Sequence, residues 1–171
     1  MGGQSRKETL MARKIVARTG FTAANDSTDL NQVGSIMDDA SNGKQYRYVK
    51  VEDANLAAND VVEFADATGT EVTKDVAGGS SVGRQFAGVA VNDITKGNYG
   101  WVQIKGLATC KVEKKTAVLK GARVKTGTAD GCVATYAATT GSSEDYSFGM
   151  ALANDTATTS ADGTVAVMID L

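Results

Sequence analysis

From Tyr46 onward the chain runs in short stretches in which apolar or β-branched residues alternate with polar ones. That two-residue period places one face of each stretch against a core if the backbone is a strand, and scatters the same residues around a helix. Tyr46-Arg47-Tyr48-Val49-Lys50-Val51-Glu52 shows it over seven residues. Further strands are expected at Val61–Phe64, Phe86–Val91, Trp101–Ile104, Ala108–Val112, Ala122–Val124, Cys132–Tyr136, Phe148–Leu152 and Val165–Ile169. Turn chemistry separates them. Asn42-Gly43, Asp130-Gly131 and Asp162-Gly163 suit positive φ, Asn-Asp pairs stand at 25–26, 59–60, 92–93 and 154–155, and 77–83 reads as a Gly- and Ser-rich loop. Short strands at this spacing predict an all-β sandwich or barrel.

The strands echo one another at an offset of about 61 residues. Lys50-Val51-Glu52 recurs as Lys111-Val112-Glu113, and Gly88-Val89-Ala90-Val91 as Gly149-Met150-Ala151-Leu152. Each of the latter pair precedes an Asn-Asp dipeptide and then a Gly-led strand, Gly100–Ile104 or Gly163–Val167. The order predicts two similar β units, about 50–106 and 111–171, closing on one another within a domain spanning 46–171.

Residues 1–45 differ. Ser5-x-x-Glu8 ahead of Leu10, Met11, Ile15 and Val16 suggests a short basic helix stopped by Gly20, and Leu30, Val33, Ile36 and Met37 suggest a second helical turn. Both are too short and too sparsely apolar to form a core, so the expectation is an extended arm that docks elsewhere. Its first twenty residues hold Arg6, Lys7, Arg13, Lys14 and Arg18 against Glu8, a local +4, whereas the whole chain is at −2 and the remainder therefore at −6. Such a leader fits a partner-seeking arm or a solvated tail. No apolar run approaches the roughly 18 residues that span a bilayer, and the N-terminus lacks a continuous apolar segment, so cytosolic synthesis is expected. Cys110 and Cys132 are then expected as free thiols, with a disulfide as the alternative.

Composition narrows the chemistry. The chain has no His, which removes the usual neutral-pH base and commonest metal ligand, and with them Ser-His-Asp and Cys-His catalysis within one chain. Gly43-Lys44 lacks the earlier Gly of a phosphate-binding loop, and Asp38–Gly43 lacks calcium ligands at Ala40 and Val49. No carboxylate pair stands out. Tyr99-Gly100-Trp101 could stack a base or sugar, or anchor a core or interface. No enzyme, cofactor or metal is expected.

Gly88-Val89-Ala90-Val91-Asn92-Asp93, Gly100-Trp101-Val102-Gln103-Ile104-Lys105-Gly106, Gly121-Ala122-Arg123-Val124 with its Asp130-Gly131 turn, and Phe148–Ala151 followed by Val165–Ile169 together resemble tailed-bacteriophage capsid decoration (cement, or head-stabilisation) proteins. The resemblance covers about residues 46–171. It implies a small β-barrel or β-tulip-like fold and a homotrimer on the outer surface of an icosahedral shell, with an N-terminal arm along the major capsid protein. The implied function is cross-linking of capsomers in the virion, with neither nucleic acid nor membrane as partner. On that reading Arg13, Lys14, Ile15, Val16, Phe21, Leu30, Val33, Ile36 and Met37 contact the capsid, and Tyr99, Trp101 and Phe148 anchor the oligomer or the core. The alternative is a ligand- or carbohydrate-binding β module of a virion accessory protein.

Overall fold

The computed structural model describes residues 21–74, 85–113, 117–136, 147–155 and 163–170. Among these the fold is all-β. A 3-10 turn at Phe21–Ala23 precedes ten strands: β1 (Ile36–Asp39), β2 (Lys44–Val51), β3 (Val61–Phe64), β4 (Glu71–Thr73), β5 (Phe86–Ala90), β6 (Tyr99–Val112), β7 (Arg123–Thr126), β8 (Val133–Thr135), β9 (Gly149–Ala151) and β10 (Gly163–Ile169).

The strands form two closed, barrel-like rings. Ring one runs β2-β4-β3-β5-β6 and returns to β2; ring two runs β6-β10-β9-β7-β8 and returns to β6. Closure satisfies strand edges that would otherwise invite pairing with other chains. The two rings use the same pairings. Val51 faces Val72 in parallel, as Val112 faces Val133, and every other contact between neighbouring strands around each ring is antiparallel. An isolated bridge joins Leu56 to Ile94 in ring one and Val118 to Asp155 in ring two.

The 14-residue β6 belongs to both rings. Its first half pairs with β2 and β5, its second with β10 and β8. The sequence breaks this strand in two at Lys105-Gly106-Leu107, because apolar alternation lapses there; the backbone continues through. Gly106 makes the passage: its φ is +87°, and a Cβ would lie 2.8 Å from the carbonyl oxygen of Gly43. Gly106→Ala is expected to lower the unfolding free energy by about 2 kcal/mol or more, through left-handed strain and that backbone clash, measured by urea denaturation. An unchanged midpoint and slope would reject this role.

Each ring has its own core. Val49, Val51, Leu56, Val62, Val72, Ala90, Val102 and Ile104 fill ring one. Cys110, Val112, Val118, Val124, Val133, Ala151, Val167 and Ile169 occupy the matching positions in ring two. Val61 and Val89 point out of ring one and into the ring-two core, where Phe86 stacks on the fully buried Phe148 with centroids 3.9 Å apart. The rings are thus packed together by apolar contact as well as by the shared strand.

Two strands escape a reading of the sequence. β4 is only Glu71-Val72-Thr73, held by neighbours on both sides. β1 lies where a second helical turn is expected, and the structure corrects that expectation. Gln32 and Gly34 adopt left-handed φ of 63° and 88°, which no right-handed helix accommodates. Residues 36–39 instead pair with β2 from Ile36↔Arg47 to Asp39↔Lys44. The first expected helix, the 77–83 loop and Asp162 lie outside the described residues.

Candidate functional site

Three side chains on the outer face of ring one, Tyr46, Tyr48 and Trp101, form a third apolar cluster. Tyr48 packs against Trp101 at 5.0 Å between ring centroids and stacks on Tyr99 at 6.1 Å. Large aromatic faces on a sheet exterior need cover, and the chain supplies it from its own N-terminal side: Ala24, Val33 and Met37 pack onto the cluster.

Main-chain bonds fasten that cover. Asp26 exchanges two hydrogen bonds with Tyr99, Gly34 N–H donates to the Tyr48 carbonyl, and Tyr48 N–H donates to the Ser35 carbonyl. The Tyr48 hydroxyl donates to Asp26 at 3.0 Å, and burial is the main cause raising its pKa. Asn25 accepts from Thr95 N–H and from the Asn98 side-chain amide. Gly100 permits this close approach, since a Cβ there would sit 2.9 Å from the Ala24 carbonyl oxygen.

The sequence-predicted contact residues therefore separate into groups. Val33 and Met37 are half-buried against the chain's own aromatic cluster. Leu30 and Ile36 face outward, 68% and 49% exposed. Phe21 stands in the 3-10 turn. Arg13, Lys14, Ile15 and Val16 lie outside the described residues. Of the aromatic anchors, Trp101 and Phe148 are buried in different clusters and Tyr99 is half-buried beside Trp101. A Trp101 indole only 3% exposed has no free face on which a base or sugar could stack.

Among the described residues nothing covers the corresponding exterior of ring two. Leu107 on β6 faces Met168 on β10, and Met168 faces Met150 on β9. Directly opposed residues share a sheet face, so the three side chains form one continuous apolar row, each between 41% and 49% exposed. The row continues to Arg123, opposite Met150 on β7, whose guanidinium lies 5.5 Å from the centroid of Tyr136. The predictive signal was the alternation itself: in Val165-Ala166-Val167-Met168-Ile169 the even positions point away from the core.

Where the rings meet, the buried carboxylate of Asp60 stands between two lysines. Its Oδ2 lies 2.9 Å from Lys74 Nζ and accepts the Ala57 N–H, and its Oδ1 lies 3.8 Å from Lys111 Nζ. Backbone bonds from Val61 to Gly131, Gly131 to Lys74 and Lys111 to Asn59 surround it. Cys110 and Cys132 are buried free thiols, and burial pushes the Cys110 thiol up to about 12, which keeps it protonated and poorly nucleophilic.

Among the described residues no group of three or more His, Cys, Asp or Glu is placed to hold a metal ion, and no helix is long and apolar enough to cross a membrane. No family model matches the chain, and none of the curated proteins does. Among solved structures, the N base of the head fiber gp8.5 of bacteriophage phi29 is similar at 18% identity, over 73% of this chain and 92% of that one, with a TM-score of 0.46. Overlap that loose carries no argument about what this chain does.

Proposed function

We propose that this protein is a structural component of a tailed-phage virion that binds the outer surface of the capsid, as a homotrimer, and stabilises the shell by bridging neighbouring copies of the major capsid protein. We assign residues 46–171 to one β domain of two similar units and residues 1–45 to the arm. The observation that carries the reading is the placement of the arm's described part. Residues 24–39 are fastened along the exterior of a closed β body, and the cationic leader 1–20 precedes them in the sequence.

A closed ring pair preceded in sequence by a basic leader suits adhesion. Strand addition supplies main-chain hydrogen bonds with little demand on sequence. Several arms on one oligomer act at high effective concentration, so each contact can be weak while the sum holds a shell together. The segments that carry the resemblance to decoration proteins include β5, β6, β7, β9 and β10. Arg13, Lys14, Ile15 and Val16 are the capsid contacts in this reading.

The test deletes residues 1–20 and retains 21–45, because removing the latter would strip the cover from Trp101 and Tyr48 and confuse unfolding with lost binding. Affinity for undecorated capsids, measured by co-sedimentation, is expected to fall about a hundredfold through lost avidity. Binding equal to that of the full chain would reject the arm as the attachment device.

A further inference from the structure

We propose that the exposed apolar face of ring two receives the N-terminal segment of a second copy of this chain. Among the described residues, large exposed apolar side chains fall into two groups. Leu30 and Ile36 belong to the N-terminal segment; Leu107, Leu119, Met150, Leu152 and Met168 belong to ring two and the second half of β6. None lies between residues 40 and 106 among those described.

The partition follows from how ring one is covered. Counting back five residues from the parallel pairs, Val51↔Val72 and Val112↔Val133, places Tyr46 where Leu107 stands. The pairs Val61↔Val89 and Arg123↔Met150 place Val89 where Met150 stands. Tyr46 is 5% exposed beneath the N-terminal segment and Val89 is 2% exposed beneath ring two. At both positions ring one is buried by other parts of the chain, whereas ring two meets solvent. A contiguous apolar row on an otherwise polar exterior marks an interaction surface.

Charge identifies the occupant. Residues 24–43 contain Asp26, Asp29, Asp38 and Asp39 and no Lys or Arg. The ring-two face carries Arg123 and Lys125, two residues apart on β7 and so on the same side of the sheet. An acidic segment presenting Leu30 and Ile36 thus complements a cationic face presenting Leu107, Met168 and Met150, and this very segment already covers the matching face of ring one. The contact joins different patches on the two copies, so each copy keeps one of each patch free and the assembly closes into a ring or extends.

Light scattering on the full chain, taken to its solubility limit, is expected to show masses of two copies or more. A segment variant, Leu30→Glu with Ile36→Glu, and a face variant, Met150→Glu with Met168→Glu, are each expected to be monomeric alone. Mixed, they are expected to form a heterodimer, because each retains the patch the other lacks. A monomeric wild-type chain, a variant that assembles like wild type, or a mixture that stays monomeric would overturn the proposal. Should either variant lose its thermal transition, Arg123→Glu with Lys125→Glu reads the same face through charge: assembly about tenfold weaker is expected, and unchanged assembly overturns the contact. Capsid binding by the 1–20 deletion is scored separately, so either idea can fail without the other.

Discussion

Replacing Phe148 by alanine is expected to lower the unfolding free energy by about 4 kcal/mol, the largest loss foreseen for a single side chain. Phe148 is 1% exposed, its ring lies 3.9 Å from that of Phe86 with 7° between the planes, and its cluster also holds Val61 and Val89 from ring one. Truncation removes the transfer free energy of the ring and leaves a cavity walled by β strands whose pairing limits collapse. Phe86→Ala should cost less, because Phe86 is only half-buried. The double mutant should lose less than the sum of the two, by about 1 kcal/mol, the interaction expected of a stacked pair. Guanidinium denaturation measures all three. A loss under about 1 kcal/mol for Phe148→Ala would show that the rings do not depend on this contact.

Asp60→Ala is expected to cost about 3 kcal/mol, the lower end for removing one partner from a buried ion pair. The lower end applies because Lys74 and Lys111 remain 22% and 31% exposed and can turn to water when the carboxylate is gone, while the Ala57 N–H loses its acceptor. Asp60→Asn keeps the volume and an acceptor, so it should lose less. The pairing strands put Ala122 at the matching place in ring two, where no second ring abuts. A carboxylate is thus present where two lysines and the Gly131 loop converge, and absent from its counterpart. Equal losses for Asp60→Ala and Ala122→Gly would contradict this role, since the latter removes no ion pair.

Most strands were readable because each is short, alternates cleanly and is bounded by a residue that tolerates positive φ. Val61–Phe64 has the same bounds in sequence and structure. Gly43 and Gly131, at two of the expected turns, have φ of 68° and 71°. Gly163 instead opens β10, crowded against the Asp155 carboxylate. The failures are physical rather than statistical. Glu71-Val72-Thr73 is too short for a period to register and is a strand only because β2 and β3 flank it. Leu30, Val33, Ile36 and Met37 have helical spacing, but Val33 and Met37 are half-buried against aromatic side chains brought from β2 and β6. Tertiary burial overrode local periodicity.

Of the candidate site, the sequence supplied the residue types without their neighbours. It marked Trp101 and Phe148 as anchors, yet one lies beneath the N-terminal segment and the other between the rings. It offered no reason to single out Asp60, because a carboxylate in an Asn-Asp turn looks the same whether water or two lysines surround it.

What the sequence alone determined is the all-β class and the face of most strands, since both follow from a period of two and from turn residues, which are local properties. Tertiary structure decided that two rings share one strand, that residues 24–39 cover the first ring, and that Leu107, Met168 and Met150 line up on the second. Those facts depend on which strands become neighbours, and closing a sheet is a long-range event that no local pattern encodes.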